Sequence, residues 1–338
     1  MKKLFFWRFL GWAGASVVLN ASLSLDAPWA ADKLLGVHSA RVMSQSMPWI
    51  AEEAGLFRDN NLDFPLVYIG SSPLATAAML GGEAQLLMDG GLGTIRAVVQ
   101  GNTDLVFIGG IKNTLTQSIL AKPEIKKLED LKGKKIGVTR MGSTTHYFAV
   151  QAFRRSGMEA GRDYTVIQTG GAPEMLAALV SGNIDAGTMT APWNVRAMSQ
   201  GFHYVVYGPD LQIPQVAASF ITRRALIVKQ SQILGRFMRA MAQAAKILHT
   251  DRDFTYKVLG KQLRVQERNV LDAAYNDEIK VLEPRLELKM EGLQAILDDV
   301  AQVDPRAKKV RPQDLIDSRY LDEMQKSGFF NKLWAGKK

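Results

Sequence analysis

The run Gly70-Ser71-Ser72-Pro73-Leu74-Ala75-Thr76-Ala77-Ala78-Met79-Leu80-Gly81-Gly82-Glu83-Ala84-Gln85 has a partner one hundred residues later. The partner reads Gly170-Gly171-Ala172-Pro173-Glu174-Met175-Leu176-Ala177-Ala178-Leu179-Val180-Ser181-Gly182-Asn183-Ile184-Asp185. Five of the sixteen positions are identical: a Gly, a Pro, two Ala and a Gly. Each copy follows a strand-like segment, at 62–69 and 164–169, and precedes another, at 84–88 and 184–189. Each therefore reads as strand, Gly-containing loop, Pro in the first helical turn, helix, Gly cap and strand. Such a βαβ unit implies a parallel sheet with a right-handed crossover. Two copies predict two similar lobes; chance likeness between βαβ units is the alternative.

The flanking sequence fits around this pair. Residues 34–37 predict a first strand, and Pro48–Glu53 a short helix closed by Gly55. Residues 92–100 predict a helix and 105–110 a strand entering a Gly-Gly loop. A short helix at 128–132, a strand at 135–138, a polar turn at 139–145 and a helix at 147–156 follow. From Ala225 the pattern turns helical, with Ile233, Phe237, Met241, Ala245 and Leu248 on one face. Helical stretches are expected again around Val270–Ala274 and at 287–300, and the amphipathic tail 320–334 is expected to pack back onto the body. The order is α/β, α/β, then a mainly helical C-terminus.

At 338 residues the chain has room for about two domains. Its 47% apolar and 22% charged residues are ordinary for a packed protein, which sets aside disorder and coiled coil for the bulk of the chain. There is no Cys, which excludes disulfides, thiolate nucleophiles, Cys-ligated zinc or iron–sulfur sites, and a lipid on an N-terminal Cys. Lys2, Lys3 and Arg8 precede an apolar stretch from Leu10 to about Leu19, with softer continuation to Leu25 and small residues at Ala27, Ala30 and Ala31. This is the pattern of an export leader, residues 1–31, cleaved near Ala30 or Ala31. An uncleaved anchor is the alternative, but the apolar run is short for a membrane span. The net charge of +9 is scattered and gives no nucleic-acid footprint. The expected product is a periplasmic protein without stable membrane insertion.

Catalytic patterns are missing. The four His residues, His38, His146, His203 and His249, stand at no metal-ligand spacing. The mature chain has no nucleophile elbow, and Lys132-Gly133-Lys134-Lys135 is no phosphate-binding loop. Gly91-Leu92-Gly93-Thr94-Ile95-Arg96 lacks the last Gly of a dinucleotide fingerprint. An enzyme is therefore not expected, nor a cofactor or metal. What remains is a set of small polar loops at strand ends, where parallel sheets bind ligands. The loop at Gly142–Thr145 is the best candidate anion site, because free helix-start N–H groups and hydroxyls coincide there.

Together these stretches resemble the periplasmic substrate-binding proteins of ABC transporters, in the nitrate/sulfonate/taurine-type group that shares a fold with thiamine-pyrimidine synthases. The matching residues are Glu52-Glu53-Ala54-Gly55-Leu56-Phe57 with Asn61-Leu62-Asp63, the run 77–90, residues 128–138, Gly142-Ser143-Thr144-Thr145, residues 177–186, and Ala191-Pro192-Trp193. The resemblance implies an α/β two-lobe periplasmic binding protein type II fold, each lobe a mixed sheet flanked by helices, with the ligand cleft between. It implies lobe one as residues 32–120 and 218–338 and lobe two as 121–217. By position in the family pattern, Ser44, Ser46, Met47, Ser71, Ser72, Gly90, Gly91 and Asn113 face the cleft from lobe one. Gly142, Ser143, Thr144, Thr145, His146, Thr190 and Trp193 face it from lobe two. Arg41 and Arg140 are candidate counter-ions. The expected partners are a small anionic ligand, sulfonate-like first, and an ABC permease that reads a hinge-closed monomer. A sensor module for a receptor and a pyrimidine-precursor-binding or -forming relative are the alternatives. The pyrimidine-forming relatives use a Cys-rich stretch that this chain lacks.

Overall fold

Pro73 and Pro173 set the frame, because each sits in the first turn of its helix, Ser72–Leu80 and Ala172–Val180. A proline there has no helical hydrogen bond to lose and its φ is already helical. The computed structural model describes residues 31–335. The leader expected at 1–31 lies outside the described residues except for Ala31.

In chain order the strands are β1 (Asp32–Lys33), β2 (Gly36–His38), β3 (Leu62–Asp63), β4 (Leu66–Tyr68), β5 (Leu86–Asp89), β6 (Leu105–Thr114), β7 (Ser118–Ala121), β8 (Lys135–Val138), β9 (Thr165–Gln168), β10 (Ala186–Met189), β11 (His203–Val206) and β12 (Pro214–Arg223). One five-stranded sheet has the order β4-β2-β5-β12-β6, the other β9-β8-β10-β7-β11. β2 runs parallel to β4 and β5, and β8 parallel to β9 and β10. β12 and β7 are antiparallel to both of their neighbours. The two sheets are thus copies of one design, and the short repeat seen at 70–85 and 170–185 is its most conspicuous part. The segment expected as one strand over 62–69 divides into β3 and β4 around Pro65, which has no N–H for a ladder.

Each sheet takes its fourth strand from the far side of a crossing. β7 follows β6 directly yet pairs with β10 and β11, and β12 follows β11 yet pairs with β5 and β6. The chain therefore passes between sheets at 115–117 and 207–213. The expected boundaries at 120/121 and 217/218 fall inside β7 and β12.

The first sheet buries one face under the helical segment Arg224–Thr250, which kinks at Gln230. Phe237 of that segment stacks with Phe57, lies tilted against Phe64 and meets Phe220 of β12 edge-on. Met241, Ala245 and Leu248 on the same face are fully buried, while Ile233 is partly so. Tyr320, Met324 and Phe330 of the tail join this core. The second sheet packs Phe153 on Tyr164 at 4.0 Å between ring centres. Among the described residues no helix is long and apolar enough to cross a membrane.

Candidate functional site

The carboxyl ends of the parallel strands of both sheets converge on one cavity of about 70 Å³. The first sheet contributes Ser39, Ser44 and Gln45 after β2, Gly70–Ser72 after β4, and Asp89 and Gly90 at the end of β5. The second contributes Thr139 and Ser143–Thr145 after β8, Gly171 and Ala172 after β9, and Thr188–Thr190 at the end of β10. Ser39 and Thr139, Ser44 and Thr144, Ser71 and Gly171, and Gly90 and Thr190 are each one hundred residues apart. The internal duplication has therefore built two facing halves of one cavity. The halves meet closely: a Cβ on Gly90 would lie 2.5 Å from Thr144 Oγ1.

Three helix starts border this space: Ser72–Leu80, Thr144–Arg155 and Ala172–Val180. The first N–H groups of a helix have no partner within it, so together with nearby hydroxyls they can hold an anion. At the second of these starts, Ser143 Oγ caps the helix by accepting from His146 N–H at 3.3 Å. Thr145 Oγ1 accepts from Thr139 N–H at 2.9 Å and lies within hydrogen-bond distance of the Thr139 and Ser143 hydroxyls. The hydroxyls are thus oriented before any ligand arrives. Gly142 enters the turn at φ +79°, a conformation that a side chain disfavours. Its N–H donates to His146 Nδ1 at 3.1 Å, and burial with nearby Arg96 holds the His146 pKa below its ordinary value. A neutral ring then accepts at Nδ1.

Asp89 is the acid in the wall. It is 1% exposed, and its Oδ1 accepts from Ser39 Oγ at 2.6 Å and Ser72 Oγ at 2.7 Å. Gln45 holds Ser39 in place through Nε2. Burial pushes the Asp89 pKa up to about 6, and the two hydroxyls and the Gly90 backbone oppose that rise.

Lys112 of β6 also lines the cavity and is 1% exposed. Its Nζ donates to Glu278 Oε2 at 2.9 Å and to Thr116 Oγ1 at 2.8 Å. Glu278 Oε1 accepts from Thr116 and, at 3.0 Å, from Thr190. A buried ion pair of this kind holds only if its remaining hydrogen bonds are met. Here they join β6, the crossing at Thr116, the end of β10 and the helix Arg268–Glu278.

Of the residues expected to face a ligand, Ser44, Ser71, Ser72, Gly90, Ser143, Thr144, Thr145 and Thr190 line the cavity. The others lie elsewhere. Ser46 and Met47 are fully buried at the start of the helix Met47–Glu53, where Met47 joins the core. Gly91 packs against Val216 and Ile296. Asn113 donates to Glu283 Oε1 and the Glu287 carbonyl and accepts from Lys289 N–H, so it ties down the C-terminal segment. Gly142 and His146 form the turn behind Ser143. The Trp193 indole donates to the Arg41 carbonyl at 2.7 Å and so links the two halves. The Arg41 guanidinium lies over the Tyr68 ring at 4.8 Å, and Arg140 is exposed. Ser39, Tyr68, Lys112, Gln117, Thr139 and Thr188 line the cavity without having been expected there. The hundred-residue offset was the available signal for Ser39 and Thr139.

The NMT1/THI5-like family profile matches residues 46–253, well over half of the chain. This chain belongs to the NMT1/THI5-like family. The alkanesulfonate-binding protein SsuA from Xanthomonas axonopodis pv. citri, solved bound to MOPS, is similar at TM-score 0.71 and 20% identity, over 85% of this chain and 98% of that one. The periplasmic aliphatic sulphonate binding protein SsuA from Escherichia coli is similar at TM-score 0.65 and 20% identity, over 86% and 92%. The desulfurization enzyme DSZB is similar at TM-score 0.66 and 13% identity, over 88% and 99%. This NMT1/THI5-like chain thus has the two-sheet periplasmic binding protein fold that its sequence resemblance implied.

Proposed function

We propose that this protein is an exported solute-binding protein that captures a small organic anion, sulfonate-like first, and presents it to an ABC import permease. The observation that carries this reading is the cavity between two duplicated sets of strand-end loops, bordered by three helix starts. A sulfonate or carboxylate would accept hydrogen bonds from the hydroxyls and helix-start N–H groups there. Likeness to SsuA proteins supports the class of solute. The likeness to the desulfurization enzyme, at 13% identity, shows the fold alone and supports no enzymatic reading.

The lobes are the two sheets with their helices, connected at 115–117 and 207–213. A ligand touching loops of both lobes favours the state in which the lobes meet, and that differential affinity drives closure. The cluster of Lys112, Thr116, Thr190 and Glu278 supports such a hinge. Opening would separate Thr190 from Glu278 and leave the Lys112–Glu278 pair on one lobe. The permease then reads the closed form.

The test is a thermal-shift panel of alkanesulfonates, nitrate, carboxylates, pyrimidines and amino acids with the protein purified from the periplasmic fraction. A sulfonate at a hundredfold excess over its Kd adds about 2.7 kcal/mol to stability and raises the midpoint by several degrees. No shift with any compound would contradict solute capture, and a shift with pyrimidines alone would replace the sulfonate.

A further inference from the structure

Most of the residues that line the cavity are buried, and the part-exposed ones mark where it meets solvent. Those are Ala40, Tyr68, Gly70, Thr139, Thr145 and Ala172. Among these described rim residues Tyr68 is the one large side chain. It ends β4, the edge strand of the first sheet, and its ring reaches the loop after β9 of the second. A Cβ on Gly171 would lie 2.7 Å from Tyr68 Oη, and one on Gly70 would lie 2.9 Å from it. Gly171 has an extended backbone, φ −139° and ψ 177°, which any residue adopts. Its missing side chain is therefore no demand of the turn. It leaves room that the phenol end of Tyr68 and the Glu174 carboxylate share. The Tyr68 ring is also packed within its own half, 5.3 Å from the His38 ring and 4.8 Å from the Arg41 guanidinium. The duplication supplies an internal control. One hundred residues on, β9 ends in Gln168, which does not line the cavity and whose Oε1 accepts from Met141 N–H at 2.9 Å. A strand end in this architecture therefore does not require an aromatic ring.

We propose that Tyr68 is a specificity-determining residue that sets the length limit of the solute. Its ring closes the cavity over the seam between the two sheets, so a solute with a longer tail has to displace it. The proposal rests on the capture reading above and adds a size limit to it. The cavity of about 70 Å³ suits a compact solute. Extra methylenes forced into a packed site push neighbouring groups off their preferred positions, and that cost offsets what burying the chain returns. Tyr68→Ala takes away the one bulky rim group and opens the cavity along the Gly70–Gly171 seam. The obstruction is the ring, so Tyr68→Phe keeps the limit.

The test is titration calorimetry of the protein purified from the periplasmic fraction, with two homologous series: ethanesulfonate to hexanesulfonate, and propionate to heptanoate. In the series that binds, the wild-type protein takes the longest tail about tenfold or more weakly than the shortest. Tyr68→Ala brings the longest member to within about threefold of the shortest, and leaves the shortest within about threefold of its wild-type Kd. Tyr68→Phe keeps the wild-type profile. Tyr68→Leu takes the place of the Ala variant if that one does not fold. A wild-type protein that binds the longest tail as tightly as the shortest overturns the proposal and leaves anion capture standing. An unchanged loss with tail length in the folded Ala or Leu variant does the same. A Tyr68→Phe profile like that of Tyr68→Ala also overturns it, since the hydroxyl and not the ring would then act. Binding in neither series overturns both the size limit and the capture of an organic anion.

Discussion

At the scale of single residues, Asp89 and Ser143 work in opposite directions on the fold. The Asp89 pKa rises from 3.8 to about 6 on folding, so the folded chain holds that proton more tightly than the unfolded one. The sign follows: relative to a neutral residue, the contribution of Asp89 to stability falls as pH rises from about 4 through about 6. A rise of this size corresponds to about 3 kcal/mol above that window. The apo Asp89→Asn variant should therefore melt higher than wild type at pH 7.5, with the gap closing toward pH 4. Equal melting curves at both pH values would refute it. Taking the difference between the two proteins also removes the effect of His38, whose pKa burial lowers to about 4 and which by itself weakens the fold as pH falls below 6.5. Ser143, by contrast, supports both the helix start and the anion site. Ser143→Ala combined with Thr144→Ala should weaken binding of an anionic ligand by about tenfold or more, and loss of the cap should cost about 1 kcal/mol of stability. Arg41→Ala should leave the Kd within about twofold, since that guanidinium lies over Tyr68 and outside the cavity. Titration of both variants checks the pair.

At the scale of elements, the parallel part of each sheet was legible because strand, Pro-started helix and strand are neighbours in the chain. β7 and β12 were not read as strands from the sequence. Each fits between strands distant in sequence, and a short apolar run such as Ser118–Ala121 does not say which sheet it joins. The same distance hid the buried ion pair, since Lys112 and Glu278 are 166 residues apart. Hydroxyl-rich loops were legible, because Ser143 and Thr145 act within their own turn. Asn113, Trp193 and Arg41 lie outside the cavity lining: Asn113 donates to Glu283, Trp193 donates to the Arg41 carbonyl, and the Arg41 guanidinium lies over Tyr68. The long helix Arg224–Thr250 was readable from its apolar face, and it fastens the first sheet through Phe237. Phe237→Ala should cost about 3–5 kcal/mol in denaturant unfolding, while the ligand Kd measured well below the melting temperature stays unchanged. A loss below 1 kcal/mol would show that the helix is held by other contacts.

At the scale of the whole molecule, duplication explains why the cavity has two matching walls and why they differ where they do. Two copies of a βαβ design give paired loops one hundred residues apart, and the substitutions between copies, Asp89 against Met189 above all, give the cavity its asymmetry. Glu278 joins those walls across the crossing. Removing its charge leaves Lys112 buried and unpaired, so Glu278→Ala should destabilise the chain by about 3–5 kcal/mol. A midpoint unchanged on melting would contradict the role given to this cluster. The central claim is that one ligand is held by both sets of loops at once. A crystal structure of the protein loaded with the compound that binds best tests it most directly. The account predicts the ligand in the cavity, with an anionic group at Ser143–Thr145 and a further contact on the loops of the first sheet. A ligand on the outer surface, or one touching the loops of a single sheet, would contradict it.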